Sequence, residues 1–461
     1  MMRAIQVTTL TVLYLLLEAG CATLPDTAAQ IERHQGQTAR FENARGPLSV
    51  QKNALILAEL KRKSGSIDIL DKQLALEQSI VGSPLILGNK ATLLQNGAAT
   101  YAAMFAAMRK AQDHINLESY IIEDDEIGRQ FADVLIEQQR RGVQVNVMYD
   151  SVGGFNTPKA FFERLTQVGI QVLEFNPVNP LATKGAWRLN HRDHRKLLVV
   201  DGRMAFIGGI NISSVYASGS VVRRRAKANG NTVAWRDTHL QIEGPVVGEF
   251  QQMFLQTWAK QLGPPLVDRA YFPVLTVQGH AMVRALGSTP DDPYSLIYLT
   301  LLSAIGNAEQ SVYLTNAYFV PDPQLLTALN DAVRRGVDVK LILPSHSDSA
   351  LVFHAGRAHY AVLLQGGVKI YEREGALLHS KTAVIDGVWS TVGSTNLDWR
   401  SFIDNDEVNA VILGRAFAGQ MQAMFAKDLE ASQAIELQAW RARALPLRLK
   451  EWLAHVVERL L

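Results

Sequence analysis

The stretch HRKLLVVD, His194–Asp201, decides the fold, because the chain repeats its pattern as HSKTAVID, His379–Asp386. Both copies read H-x-K-x-x-x-x-D, and both continue with a glycine, an apolar run and two small residues. Each copy then has an asparagine seventeen residues after its histidine, Asn211 and Asn396 (211 − 194 = 396 − 379 = 17). Agreement over this length indicates an internal duplication.

The residue types of the motif favour phosphate chemistry. In a strand, the histidine and the lysine two positions later lie on the same face, so both can point at one ligand. An imidazole titrates near neutral pH, and an ammonium group is a point charge for a phosphate. The Asp-Gly pair favours a hairpin turn, which would bring the small residues and the asparagine back beside the histidine. Each copy therefore predicts half of a phosphate site, with His194, Lys196 and Asn211 in the first half and His379, Lys381 and Asn396 in the second.

The aspartates that close the two motifs, Asp201 and Asp386, are expected to be supporting residues. Each lies seven positions after its histidine, an odd number, so its side chain on a regular strand faces away from the histidine. A structural role follows from that spacing.

A second repeat surrounds the motifs. The predicted strands are 115–122, 140–149, 311–319 and 334–343, and the predicted helices are 127–139 and 323–333. Helices between apolar strands predict βαβ units and a largely parallel sheet. The chain therefore reads as two copies of one α/β domain.

We expect six segments along the chain. These are a signal-like or anchor segment at 1–21, a helical region at 22–84, a first domain at 85–262, a linker at 263–280, a second domain at 281–440 and a basic amphipathic helix at 441–461. The first segment ends in Ala19-Gly20-Cys21, which resembles a lipoprotein processing site, so Cys21 is a candidate for lipidation. An uncleaved anchor is the alternative, and both predict a membrane-associated protein of the bacterial cell envelope.

Two basic segments leave a membrane role open. The first half has an insertion within 216–231 that carries Arg223, Arg224, Arg225 and Lys227. This loop could be a solvated charge run or could contact anionic lipid headgroups. The segment 445–461 has apolar residues at helical spacing among basic ones, and could pack on the body or lie on a membrane surface.

Composition excludes several classes of site. The single cysteine leaves no partner for an internal disulfide, and the net charge of +2 does not indicate nucleic acid. His191 lies three residues before His194, but nothing near His379 repeats this spacing, so we expect His191 not to be a metal ligand. We predict no metal and no cofactor.

The duplicated motif with its downstream asparagine resembles the phospholipase D superfamily. Within it, the stretches 235–244, 347–352 and 379–402 resemble bacterial cardiolipin synthases, and the resemblance covers roughly Leu85 to the C-terminus. It implies two repeated phospholipase D-like α/β/α sandwich domains with one shared active site at their interface.

The resemblance also implies a mechanism. One histidine attacks the phosphorus of a phosphodiester, the other protonates the leaving alcohol, and a second alcohol or water then releases the phosphohistidine. The first copy is the expected nucleophile, His194. The acid one strand further on is implied to orient each imidazole, which identifies Asp237 and Glu407.

The implied reaction is transfer of a phosphatidyl group to phosphatidylglycerol at a membrane surface, which yields cardiolipin. A phospholipid hydrolase would use the same residues and is the alternative. A nuclease is less favoured because the N-terminus is membrane-directed. An inactive lipid-binding scaffold is also less favoured, because no motif residue is missing.

Overall fold

The computed structural model describes residues 40–64, 69–74, 77, 82–183, 187–217 and 234–461. The signal-like segment with Cys21 and the basic run from Arg223 to Lys227 lie outside these residues, so both calls on them stay predictions. Among the described residues, no helix is both long and apolar enough to span a bilayer.

Twenty strands are described, numbered here in chain order. They are β1 Phe41–Asn43, β2 Gly46–Pro47, β3 Leu85–Gln95, β4 His114–Ser119, β5 Gln144–Asp150, β6 Gln171–Phe175, β7 Arg192–Asp193, β8 Lys196–Val200, β9 Met204–Gly208, β10 Trp235–Arg236, β11 Thr238–Glu243, β12 Ala281–Ser288, β13 Ser311–Asn316, β14 Asp338–Pro344, β15 Lys369–Arg373, β16 Leu377–Leu378, β17 Lys381–Ile385, β18 Trp389–Gly393, β19 Asn405–Leu413 and β20 Ser432–Ala434.

The helices alternate with these strands along the chain. In the described part they are Val50–Ser64, Asn96–Arg109, Glu126–Arg140, Lys159–Thr166, Val247–Lys260, Leu296–Gly306, Pro323–Arg334, Ala350–Ala358, Tyr360–Gln365, Trp399–Ile403, Arg415–Glu430, Leu437–Arg441 and Leu445–Val456. Between Lys260 and Ala281, where the linker is predicted, the chain has neither helix nor strand.

Both halves have the same strand order, which reflects the duplicated sequence. The order is β6-β5-β4-β8-β9-β11-β3 in the first half and β15-β14-β13-β17-β18-β19-β12 in the second. β3 and β12 pair antiparallel and join the two sheets. The predicted fold of two repeated α/β domains is confirmed. The expectation of a largely parallel sheet is wrong, because each motif forms an antiparallel hairpin, β8–β9 or β17–β18.

Helices cover both faces of the joined sheet. Along β8, Leu198 and Val200 belong to one buried cluster, whereas Leu197 and Val199 belong to the cluster on the other face. This alternation follows from the two-residue period of a strand, and apolar residues on both faces require cover on both. The second cluster also contains β17–β19 residues and the helices Val247–Lys260 and Arg415–Glu430, so the halves share a core.

Two predicted strands begin too early in the sequence. The stretch 140–149 contains the end of a helix and a turn at Gly142, where φ is +92°, before β5 begins at Gln144. The second half repeats this at Gly336, where φ is +90°, before β14 begins at Asp338. Glycine tolerates this left-handed backbone, so the RRG run ends a helix rather than starting a strand.

Candidate active site

The two motif histidines lie at the interface, and each is held by the backbone of the opposite half. β7 runs parallel to the start of β19, and the backbone N–H of His194 donates to the carbonyl of Asp406 at 2.9 Å. β10 runs parallel to β16, and the backbone N–H of His379 donates to the carbonyl of Arg236 at 2.8 Å. Each half therefore supplies backbone that positions the other half's histidine, from the start of β19 for His194 and from the two-residue strand β10 for His379.

The acids that contact the imidazoles are Asp237 and Glu407, but the pairs cross between the halves. Nδ1 of His194 lies 2.9 Å from Oε1 of Glu407, and Nδ1 of His379 lies 2.7 Å from Oδ2 of Asp237. The expectation that the acid one strand further on orients the histidine of its own half is wrong, because β7 and β16, the strands directly before the two histidines, pair with strands of the opposite half. Both carboxylates are buried, and each contact occupies Nδ1 of its imidazole. Nε2 is then the ring nitrogen left to face a substrate, and at His379 it lies 3.0 Å from Nζ of Lys381.

The two motif lysines are buried beside the histidines. Nζ of Lys196 and of Lys381 each donates to the carbonyl of the histidine two residues earlier, at 2.6 Å in both cases. Burial lowers the pKa of Lys196 to about 7 and that of Lys381 to about 8, while nearby carboxylates oppose the shift. A bound phosphate would offset this desolvation, because its charge favours the ammonium form.

The electrostatics of the two imidazoles differ. Burial and then the charges of Lys196 and Lys381 hold the pKa of His194 well below its usual value. Burial and Lys381 also lower the pKa of His379, but Asp237 opposes that shift. Asp237 therefore favours the protonated form of His379. The charge of His379 also acts on His194, as expected for two rings at one interface.

The two asparagines are in different situations. The Asn211 amide donates to the hydroxyl of Tyr216 at 2.9 Å and accepts from the backbone of Ile121 at 3.1 Å. The Tyr216 hydroxyl lies 3.4 Å from Nδ1 of His379, so Asn211 reaches the site through Tyr216. Asn396 is buried, and its side-chain oxygen has no hydrogen-bond partner within the described chain. Its amide is the one left available for a ligand.

Aromatic rings pack against both histidines, and these aromatic residues were not predicted from the sequence. Tyr120 lies 5.1 Å from His194 between ring centres, and Nζ of Lys196 lies 5.2 Å from the Tyr120 ring centre. Trp235 and Tyr216 lie 5.0 and 5.6 Å from His379. The available signal was an aromatic residue directly after strand β4, Tyr120, and another two residues before the acid Asp237, Trp235.

Asp201 and Asp386 lie in the hairpin turns and bind backbone rather than the site. Both have positive φ, 54° and 52°. Asp201 accepts from the N–H groups of residues 112 to 114 at 2.8 to 3.2 Å, and Asp386 from those of residues 309 to 311 at 2.8 to 2.9 Å. Each therefore ties its hairpin to the start of β4 or β13, as their odd spacing predicts.

The small residues after each hairpin make room for the crossed acids. A Cβ at Gly209 would lie 2.3 Å from Oδ1 of Asp237, so a larger residue would displace this carboxylate. The matching residue in the second half is Ser394, whose hydroxyl donates to Glu407. The two halves thus position their acids by different means.

Two buried arginines bind the backbone of the two acids that contact the histidines. Nε of Arg195 donates to the carbonyl of Glu407 at 3.1 Å. Arg236 makes two hydrogen bonds to Asp428, at 2.9 and 2.7 Å, and a third to the carbonyl of Asp237 at 2.6 Å. Both guanidinium groups therefore fix the backbone of an orienting acid.

His191 lies beside the site but its ring is already paired. Nε2 of His191 lies 3.0 Å from Oδ1 of Asp406. In the part of the chain that the structure describes, the side chains grouped closely enough to share a metal are His359, His455 and Glu458. None of these three belongs to a motif.

Two carboxylate-bonded imidazoles and two buried ammonium groups, brought to one interface by both halves of a duplicated α/β chain, are typical of a phosphodiester-transfer enzyme. The family described as "Cardiolipin synthase, PLD-like domain" matches residues 104–258 and 301–429. The chain belongs to this cardiolipin synthase family of phospholipase D-like proteins.

Individual proteins agree with this assignment. Cardiolipin synthase of Geobacillus kaustophilus is 36% identical over 391 residues, which are 84% of this chain and 76% of that protein. Cardiolipin synthase A of Pseudomonas putida is 36% identical over 367 residues, or 78% of this chain and 72% of that one. The crystal structure of phosphatidylserine synthase from Haemophilus influenzae covers 85% of this chain and 100% of its own, with a TM-score of 0.61 at 13% identity. That last likeness concerns the fold alone.

Proposed function

We propose that this protein transfers a phosphatidyl group from one phosphatidylglycerol to another, making cardiolipin and glycerol through a covalent intermediate on His194. The observation that carries the proposal is the crossed pair of contacts, His194 with Glu407 and His379 with Asp237. They orient two imidazoles at the interface of the halves, and a two-step displacement needs both.

In the first step, Nε2 of neutral His194 attacks the phosphorus of the donor lipid. The bond from phosphorus to the glycerol oxygen breaks, and His379 gives its proton to that oxygen, so glycerol leaves. Glu407 stabilises the positive charge that forms on His194, and Asp237 stabilises the protonated form of His379.

In the second step, neutral His379 takes the proton from a glycerol hydroxyl of the acceptor lipid. The oxygen attacks phosphorus, the bond to His194 breaks, and cardiolipin leaves. Lys196, Lys381 and the side-chain N–H of Asn396 would hold the phosphoryl oxygens as their charge shifts in each transition state.

Transfer competes with hydrolysis at the second step, since water could replace the acceptor. The motif histidines are almost fully buried and the rings of Tyr120, Tyr216 and Trp235 line them, which limits the access of water. This burial favours the transferase over the hydrolase.

The proposal includes no divalent metal and no nucleic acid, and a site that works at a membrane of the bacterial envelope. Two ammonium groups already supply the charge that a metal ion would bring. Turnover should therefore be unchanged in excess chelator. Full loss in chelator with recovery on adding a divalent ion would contradict this.

The function is tested by separating the lipids that form when purified protein meets labelled phosphatidylglycerol in vesicles. Wild type should yield cardiolipin and free glycerol, and both His194→Ala and His379→Ala should yield neither. Phosphatidic acid as the sole product at saturating acceptor would identify a hydrolase and overturn the proposal.

A further inference from the structure

The C-terminal helix Leu445–Val456 exposes an apolar stripe. Its members are Leu445, Leu449, Trp452, Leu453 and Val456, and each is 55 to 75% exposed. Their spacing of i, i+4, i+7, i+8 and i+11 places all five side chains on one face of the helix.

The opposite face packs on the body of the protein. Ala454 is buried in a cluster with Val320 and Ala355, and Glu451 is buried and bonded by Arg443 at 2.6 and 2.8 Å. The helix thus presents a small alanine and a paired glutamate to the body, and its large apolar side chains to the outside. A helix that only packs on its own domain has the reverse arrangement, so the stripe requires a different explanation.

Exposed cations flank the stripe. Arg448 and Lys450 lie on its two sides, and Arg459 follows in the next turn. The acids of the segment are engaged elsewhere: Glu451 pairs with Arg443, and Glu458 lies 2.7 Å from His359 and 2.8 Å from His455. The outer surface is therefore apolar and positive, as in helices that lie in the headgroup region of anionic bilayers. Two copies of this surface would repel one another.

The helix and the residues that follow it contact the segment just after Asn396. The backbone N–H of Arg400 donates to the carbonyl of Leu461 at 3.0 Å, and the Arg459 guanidinium lies 5.4 Å from the Trp399 ring centre. Trp399 follows Asn396 by three residues and shares a buried cluster with Ala454. A surface that holds this helix would also hold the second motif's asparagine segment in a defined orientation.

We propose that the stripe formed by Leu445, Leu449, Trp452, Leu453 and Val456 inserts into an anionic bilayer surface and orients the active site towards its lipids. The inference deepens the proposed function and rests on it for its purpose. Binding itself is measured without turnover, so the two can fail separately.

The test measures quenching of tryptophan fluorescence in the full-length protein by vesicles of phosphatidylglycerol and brominated phosphatidylcholine. Wild type should show a quenched component that Trp452→Phe, which removes one of seven tryptophans, lacks. This readout reports the position of Trp452 whatever else holds the chain to the vesicle.

A charge variant supplies the second arm. Leu449→Glu/Leu453→Glu should lose this quenching and bind the vesicles roughly tenfold more weakly or worse. Val267→Glu/Val274→Glu, with equal added charge on exposed linker residues, should behave as wild type. Unchanged thermal unfolding would show that each variant is folded. Equal quenching in wild type and Trp452→Phe would overturn the proposal and indicate that a second copy or another segment of the chain covers the stripe.

Discussion

The two motifs have the same residue pattern and the same strand order, yet their lysines make different contacts. Nζ of Lys381 lies 2.9 and 3.0 Å from the two ring nitrogens of His379, whereas Nζ of Lys196 faces the ring of Tyr120. The acids differ as well, with Asp237 bonded by a backbone N–H and Glu407 by the hydroxyl of Ser394. The duplication gives both halves the same fold, and these differences between the halves can give each histidine its own role.

The largest expected effect separates the two histidines by leaving group. With phosphatidylglycerol, His194→Ala and His379→Ala should both lose about 10⁴-fold or more in turnover. With phosphatidyl-p-nitrophenol, whose leaving group needs no proton, His379→Ala should regain a burst of nitrophenol and His194→Ala should not. Stopped-flow absorbance measures the burst. A burst from His194→Ala alone would reverse the two roles.

The crossed acids should follow the histidine that they contact. Glu407→Gln should resemble His194→Ala and remain slow with the nitrophenyl donor, while Asp237→Asn should be rescued by it as His379→Ala is. We expect losses of about 10²- to 10⁴-fold with phosphatidylglycerol, because each amide keeps the hydrogen bond but not the charge. The same burst assay provides the measurement. The opposite assignment would mean that the acids act within their own halves.

Replacing the lysines should lower turnover less than replacing the histidines does, and should make the folded protein more stable. Lys196→Met and Lys381→Met should each lower turnover about 10²- to 10³-fold. Each should raise the free energy of unfolding by about 1–3 kcal/mol, because a buried charge is removed. In wild type, kcat/KM should fall as pH rises through about 7 to 8, where the two ammonium groups lose their protons.

As pH rises, stability should change in the opposite direction to kcat/KM. Both lysines have a lowered pKa when folded, so above pH 7 the unfolded chain binds more protons and stability should rise with pH until the lysines of the unfolded chain titrate. Denaturant melts of wild type and the two Met variants between pH 6 and 9 test this. A pH slope that is the same in all three would contradict the assignment.

The motif residues and the duplicated α/β fold could be predicted because both are local patterns repeated in the sequence. The crossing could not, because His194 and Glu407 are 213 residues apart and meet only where the two-residue strand β7 pairs with the start of β19. The sequence also could not show that the amide of Asn211 donates to the hydroxyl of Tyr216 and not to a ligand. The aromatic residues around the histidines and the arginines behind the acids follow no sequence spacing, so they can be identified only from the packing in the structure.

The central claim, a phosphatidyl group carried on His194, is tested most directly by trapping it. His379→Ala with labelled phosphatidyl-p-nitrophenol should accumulate the intermediate, because the variant lacks the base that activates the acceptor. After a mild alkaline digest, mass spectrometry should find the label on the peptide that contains His194. The double variant His194→Ala/His379→Ala should carry none. Label on any other residue, or turnover of the nitrophenyl donor by the double variant, would contradict the account.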